Sequence, residues 1–207
     1  MADNVAITPG TGATVAADEV AGALHQRVKI SVGADGTAAD WEGLVSNYIA
    51  RPSGNFTRPS DTTAYASGDL VANSVTAGSV DAVSIAVARA SGGTGSIRRA
   101  LLRKSGTGIT NSIFRIHLYE ADPSTVTNGD NGAWSTSGVA DYLGAIDVVI
   151  DRAFTDGAAG EGVPLAGGEI NFDLTGTANV YALLEARGAY TPASAEVFTI
   201  ELEVLQN

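Results

Sequence analysis

The chain has 207 residues, a net charge of −11 and no cysteine. This excludes disulfide frameworks and thiolate metal sites, and it argues against nucleic acid as a partner, whose affinity comes from Lys and Arg on phosphates. Only 17% of residues are charged, against about 25% in an ordinary soluble domain. With 25 glycines, the surface is small and weakly polar, a composition that suits wide contacts between subunits and equally a loop-rich β-protein. A chain of this length buries roughly 70% of its unfolded surface without needing a staple. No apolar run approaches the ~20 residues that cross a bilayer.

Residues 1–22 show no sustained period and are punctuated by Pro9-Gly10 and Gly12, which predicts an extended N-terminal arm that orders by docking. Val5, Ile7 and Pro9 are its candidate contact residues. Met1-Ala2-Asp3-Asn4 lacks the basic region and apolar core of a signal peptide, so no secretion leader is expected. Residues 23–207 read as a β body. Leu24 to Val32 predicts a strand with Val28, Ile30 and Val32 inward, closed by the turn Ala34-Asp35-Gly36. Residues 45–79 read as a largely irregular connector through Arg51-Pro52-Ser53-Gly54 and Arg58-Pro59-Ser60-Asp61, with Leu70-Val71-Ala72 the candidate start of a strand. Val80 to Ala90 alternates with Val83, Ile85 and Val87 on one face, and 91–95 is a Gly-rich loop. Strands follow at Ile97 to Lys104 and at Ile113 to Tyr119, where Phe114, Ile116 and Leu118 point inward. After a polar loop over 123–137 comes a strand at Tyr142 to Ile150, then a Gly-rich loop over 156–168. Three last strands are expected at 169–174, 180–186 and 197–205. In the last, Phe198, Ile200, Leu202 and Val204 share one face, and Thr199, Glu201 and Glu203 the other. About eight strands and no amphipathic helix predict an all-β fold, an antiparallel β-sandwich of jelly-roll type.

The motifs that could carry chemistry are weak. Ser91-Gly92-Gly93-Thr94-Gly95 runs into Ile97-Arg98-Arg99 between two strands, so it is a hairpin loop and not a phosphate loop at a helix start. Asn128-Gly129-Asp130-Asn131-Gly132 offers one carboxylate where calcium wants six to eight oxygens, so it reads as a turn. His25 and His117 each fall within a predicted strand, as outward or interface residues, and no Gly-x-Ser-x-Gly elbow accompanies them. No catalytic residue, metal site or cofactor is expected. The one charge anomaly on this acidic chain is Arg98, Arg99, Arg103 and Lys104. Strand alternation puts Arg98 and Lys104 on one face and Arg99 and Arg103 on the other. Two readings stand: pairing within the chain to acidic strands, Glu201 and Glu203 among them, or an interface with an acidic neighbour in an assembly.

A resemblance then narrows the choice. Asp3-Asn4-Val5-Ala6-Ile7-Thr8-Pro9-Gly10, with Gly12-Ala13-Thr14-Val15-Ala16, Gln26-Arg27-Val28-Lys29-Ile30 and Gly33-Ala34-Asp35-Gly36, resembles an N-terminal segment of tailed-bacteriophage virion proteins. Thr57-Arg58-Pro59, Thr63-Ala64-Tyr65-Ala66-Ser67-Gly68-Asp69, Leu102-Arg103-Lys104-Ser105-Gly106, Asn128-Gly129-Asp130-Asn131-Gly132-Ala133-Trp134 and the run from Tyr181 to Arg187 and from Tyr190 to Glu196 are similar to a phage structural protein. The likeness covers nearly the whole chain through framework strings and brings no catalytic residue. It implies a capsid decoration (cement) protein on the outer surface of the virion, made in the host bacterial cytoplasm. The major capsid protein and neighbouring copies of the chain, as dimer or trimer, would be its partners, with no nucleic acid and no membrane. The arm would then be a strap on the capsid or on a neighbouring copy. The alternative is a tail, baseplate or fibre-attachment protein displaying a receptor-binding sandwich. A glycan hydrolase is a third class, for which the residues supply no constellation.

Overall fold

The computed structural model describes residues 48–123, 128–135, 138–165 and 167–207, together with the backbone of four short strands before them. The chain divides into two compact units, Met1–Val45 and Ser46–Asn207. In the first, β1 (Ala17–Val20) pairs antiparallel with β2 (Ala23–Gln26), and β3 (Ser31–Val32) with β4 (Ala39–Asp40). The end of the expected arm therefore holds a strand, and the strand expected over 24–32 is represented by β2 and β3. Residues 1–16, 21–22 and 27–30 lie outside the described residues.

The second unit is a sandwich of two antiparallel sheets, all β as expected. The first sheet runs β11 (Tyr142–Val149), β10 (Ile113–Tyr119), β15 (Asn179–Ala186). Beyond β15, β8 (Val83–Ala86) and β7 (Leu70–Val71) lie end to end. The second sheet centres on β9 (Thr94–Lys104) and β16 (Val197–Gln206). On the far side of β9 lie β13 (Gly157–Gly162) and β14 (Ile170–Asp173), with β12 (Arg152–Phe154) outside β13. On the far side of β16 lie β6 (Ser53–Thr57) and β5 (Tyr48–Ala50). A 3-10 turn at Gly138–Asp141 precedes β11.

The core is what period-2 alternation demands. Phe114, Ile116 and Leu118 of β10 meet Phe198, Ile200, Leu202 and Val204 of β16 across the sandwich, all seven without exposed surface. Each such side chain contributes about 1.5–3 kcal/mol by leaving water. Aromatic rings run through one end of this core: Phe56 stacks on Phe198, Phe198 meets Phe114 edge-on, Phe114 meets Tyr190 edge-on, and Tyr190 stacks on Tyr65.

Three sequence expectations change. The Gly-rich loop over 156–168 contains strand β13, because its glycines let backbones meet where side chains would not fit. A Cβ on Gly160 would strike the Val149 carbonyl, and one on Gly162 the Asp147 carbonyl, so β13 closes directly against β11. Gly54 of β6 does the same at the other open side, under Val83 of β8. Accordingly, the stretch read as irregular connector holds β5, β6 and β7. Lastly, Arg98 and Lys104 do not share a face. Between Glu203 and Val204 the register slips, so that Glu203 faces Arg99 and Val204 faces Ile97. Arg98 is the extra residue of a β-bulge, which lets Ile97 re-enter the core and turns Arg98 out to solvent.

Candidate functional site

The outer face of the second sheet holds three of the four cations singled out from the sequence. Glu203 of β16 lies opposite Arg99 of β9 and receives Arg99 Nη2 at 2.8 Å and Arg51 Nη2 at 3.2 Å. Arg99 Nη1 reaches Glu161 of β13 at 2.6 Å, Arg103 pairs diagonally with Glu201 at 2.8 Å, and at the bulge Arg98 pairs with Glu169 at 2.7 Å. Hydrogen bonds to Glu203 and Glu161 raise the pKa of Arg99, and the Arg99 guanidinium holds Glu203 below its ordinary value. The pairs to Glu203, Glu161 and Glu201 are partly exposed, so each contributes between zero and about 1 kcal/mol. Their effect is to make an electroneutral ladder on an otherwise acidic molecule. A hollow of about 140 Å³ shares Leu101 and Glu161 with one of about 370 Å³, which shares Ala159 with one of about 470 Å³ that reaches Phe154.

The fourth cation is elsewhere, and the expectation of Lys104 as a surface contact is corrected. Its ammonium is wholly buried and donates to Glu196 Oε1 at 3.1 Å, the Tyr190 hydroxyl at 2.9 Å and the Gly106 carbonyl at 2.9 Å. Lys104 falls at an inward position of β9, where only a fully satisfied ammonium is tolerable. Burial lowers its pKa, and Glu196 opposes that shift. The Tyr190 hydroxyl in turn donates to Glu196, and burial raises the pKa of Tyr190 well above that of a free phenol.

A second buried node escaped sequence reasoning. The Arg58 side chain is completely buried, with Nη2 2.7 Å from Asp130 Oδ2 and Nε donating to the Tyr65 hydroxyl at 2.5 Å. Tyr65 donates to Asp130 Oδ1 at 2.6 Å, which also accepts the Ala72 N–H at 2.8 Å. Burial alone would lower the Arg58 pKa, but Tyr65 and Asp130 together carry it upward, while burial raises that of Tyr65. The node ties the Arg58–Asp61 segment, β7 and the 128–132 turn into one unit. Its only sequence signals were a lone Arg in a connector and a lone Asp in a turn, 72 positions apart. Among the described residues no buried side-chain nitrogen or oxygen lacks a partner.

The outer face of the first sheet carries a third cluster. His117 of β10 stacks on Trp134 with centroids 4.0 Å apart. Its Nε2 lies 2.9 Å from Glu185 and its Nδ1 3.2 Å from the Tyr142 hydroxyl. Arg115 grips Asp147 through two bonds of 2.6 and 2.8 Å, and Arg187 reaches Glu185 at 2.9 Å. Burial lowers the His117 pKa against the pull of Glu185, and the Arg115 bond lowers that of Asp147. The cluster pins the turn before Trp134 over a small apolar group of Leu70, Ala72, Tyr119 and Leu183.

His25, Val5, Ile7 and Pro9 lie outside the residues whose side chains are described. Among the described residues, no group of three or more His, Asp or Glu is placed to hold a metal, and no helix is long and apolar enough to cross a membrane. No family model, curated protein or solved structure matches the chain.

Proposed function

We propose that the chain is a non-enzymatic structural protein of a tailed-phage virion that binds the outer surface of the assembled capsid and stabilises it. The observation that carries this reading is the path of the chain. It alternates between sheets: β6 in the second, β8 in the first, β9 in the second, β10 and β11 in the first, β13 and β14 in the second, β15 in the first, β16 in the second. The resulting orders, β6-β16-β9-β13 and β8-β15-β10-β11, are what two Greek keys folded into a jelly roll produce, an architecture used by viral coat domains. Fold alone does not assign function. The likeness of the framework strings to phage virion proteins supports the reading beside the chain path, and the neutral ladder on an acidic body offers a face that a partner can approach without charge repulsion. Satisfied buried nodes hold that face in one shape, so little ordering entropy is lost on docking.

The mechanism is mass action. A protein that binds the closed lattice but not its free subunits stabilises the lattice by about 2.7 kcal/mol per site at a hundredfold excess over Kd. Heads lacking the protein are therefore expected to release DNA at a lower temperature than decorated heads, and added protein to restore the difference. Equal release temperatures with and without it would remove the stabilising role.

A second reading, a tail or fibre-attachment protein that displays a receptor-binding face, is favoured by one observation. The rings of His117, Trp134 and Tyr142 sit together among Arg115, Asp147 and Arg187 on an open sheet face, and jelly rolls also serve as lectins. Binding to host cells that is lost in Trp134→Ala would move the assignment to this reading.

A further inference from the structure

Strand β12 is the outermost strand of the second sheet. It pairs with β13 through Arg152↔Ala159, Ala153↔Ala158 and Phe154↔Gly157, and among the described residues no strand lies on its other side. All three of its residues are exposed, Phe154 at 55%. The turn Thr155-Asp156 is two residues long, so Phe154 and Gly157 close the hairpin as a hydrogen-bonded pair. Alternation then gives the Arg152 and Ala159 backbones to each other and leaves the Ala153 N–H and C=O pointing away from the sheet. Of the features that guard open edges, this one has short length and one charged side chain, Arg152, but no Pro and no bulge.

We propose that this edge pairs with the same edge of a second copy about a two-fold axis through Ala153. The inference rests on the part of the proposed function that makes neighbouring copies partners, and it names the surface and the symmetry. The edge is self-complementary. With Ala153 opposite the partner's Ala153, each donates its free N–H to the other's carbonyl, which is the one unsatisfied donor–acceptor set that β12 presents. The flanking positions then place Arg152 opposite the partner's Phe154, twice, in the closer, non-hydrogen-bonded spacing. A guanidinium over a phenyl ring is an attractive cross-strand pair that needs no counter-charge. Phe154, in the lining of the hollow of about 470 Å³, supplies the apolar anchor that a three-residue strand lacks by itself. Such an isologous contact closes at two copies. Because the chain carries −11, the two copies repel at low ionic strength, and salt strengthens the pairing.

The test is sedimentation of the full chain. A mass near twice 21.0 kDa is expected at high protein concentration in about 0.5 M salt, where charge repulsion is screened within roughly 4 Å. Ala153→Pro removes the free N–H, and Phe154→Lys removes the anchor and sets a charge against Arg152. Both are expected to sediment as monomers with unchanged circular dichroism. Since the chain has no cysteine, Ala153→Cys gives an independent reading. Across a hydrogen-bonded pair the Cα atoms lie about 5.5 Å apart, within reach of a short bis-maleimide, so the crosslinker is expected to give a covalent dimer, while Ser91→Cys in an exposed loop stays monomeric. A wild-type chain that remains monomeric under these conditions, or a dimer that survives both edge variants, would overturn the proposal. Head binding by a monomeric chain would overturn it while leaving the decoration reading standing, and a dimer that does not bind heads would do the reverse.

Discussion

Arg58 sits with no exposed side-chain surface between Asp130 and Tyr65. A buried ion pair is expensive to build, and removing one member costs more than the pair contributes, because the other charge is left dry and alone. Arg58→Ala is therefore expected to destabilise by roughly 3–5 kcal/mol, read as a lower urea midpoint. Arg103→Ala, on a pair open to water, is expected to cost under about 1 kcal/mol. Comparable losses would contradict the assignment of one to the interior and the other to the surface. His117 makes a pH prediction. Burial holds its folded pKa below the ordinary 6.5, with Glu185, Tyr142, Arg115 and Asp147 around it, so the unfolded chain takes up a proton first. Stability should fall as pH drops through 6.5 to the folded value, and level off below it. Asp147 and Glu203 are held down by their arginines from 3.8 and 4.5. Their contribution is present above those values and lost as pH falls through the folded ones, in a separate, lower window. Urea midpoints across pH should show the upper slope flattened in His117→Gln and the lower slope kept.

At the scale of elements, β13 shows where the fold is held by what is missing. Gly160 leaves room for the Val149 carbonyl and the Ile150 Cα, so Gly160→Ala forces β11 and β13 apart and is expected to cost about 1–3 kcal/mol, as overpacking does. Gly168 has nothing near its Cβ position, and Gly168→Ala is expected to be neutral or to stabilise by about 0.4–1 kcal/mol through the unfolded state. Thermal melts of the two variants decide it. The same contrast explains which elements were legible in the sequence. β16 and β10 announce themselves, because their side chains do the packing and alternate with period two. β13, as Gly-Ala-Ala-Gly-Glu-Gly, has almost no side chains to alternate, and β6 has one apolar residue, Phe56, so both look like loops. The surface pairing of Arg99 and Arg103 with glutamates could be read from opposite charges on strands. The true face of Arg98 could not, since a single bulge inverts parity and leaves no mark in composition. Nor could Arg58 and Asp130, whose meeting depends on the path of the whole chain.

On the scale of the molecule, the sandwich seals Arg58 with Asp130 and Lys104 with Glu196 in two interior nodes and sets Arg51, Arg98, Arg99 and Arg103 in a neutral ladder with four glutamates, leaving the acidic excess elsewhere. A net charge of −11 favours solubility in a body of this kind, and its neutral face meets a partner at little charge cost. It suits a part present in many copies, each weakly bound, whose effects add through the lattice they share. The measurement that tests this directly is immunogold electron microscopy of intact virions with antibody raised against the purified chain. Gold distributed over the head is predicted. Gold confined to the tail or its tip, or no gold on virions at all, would contradict a decoration protein of the capsid.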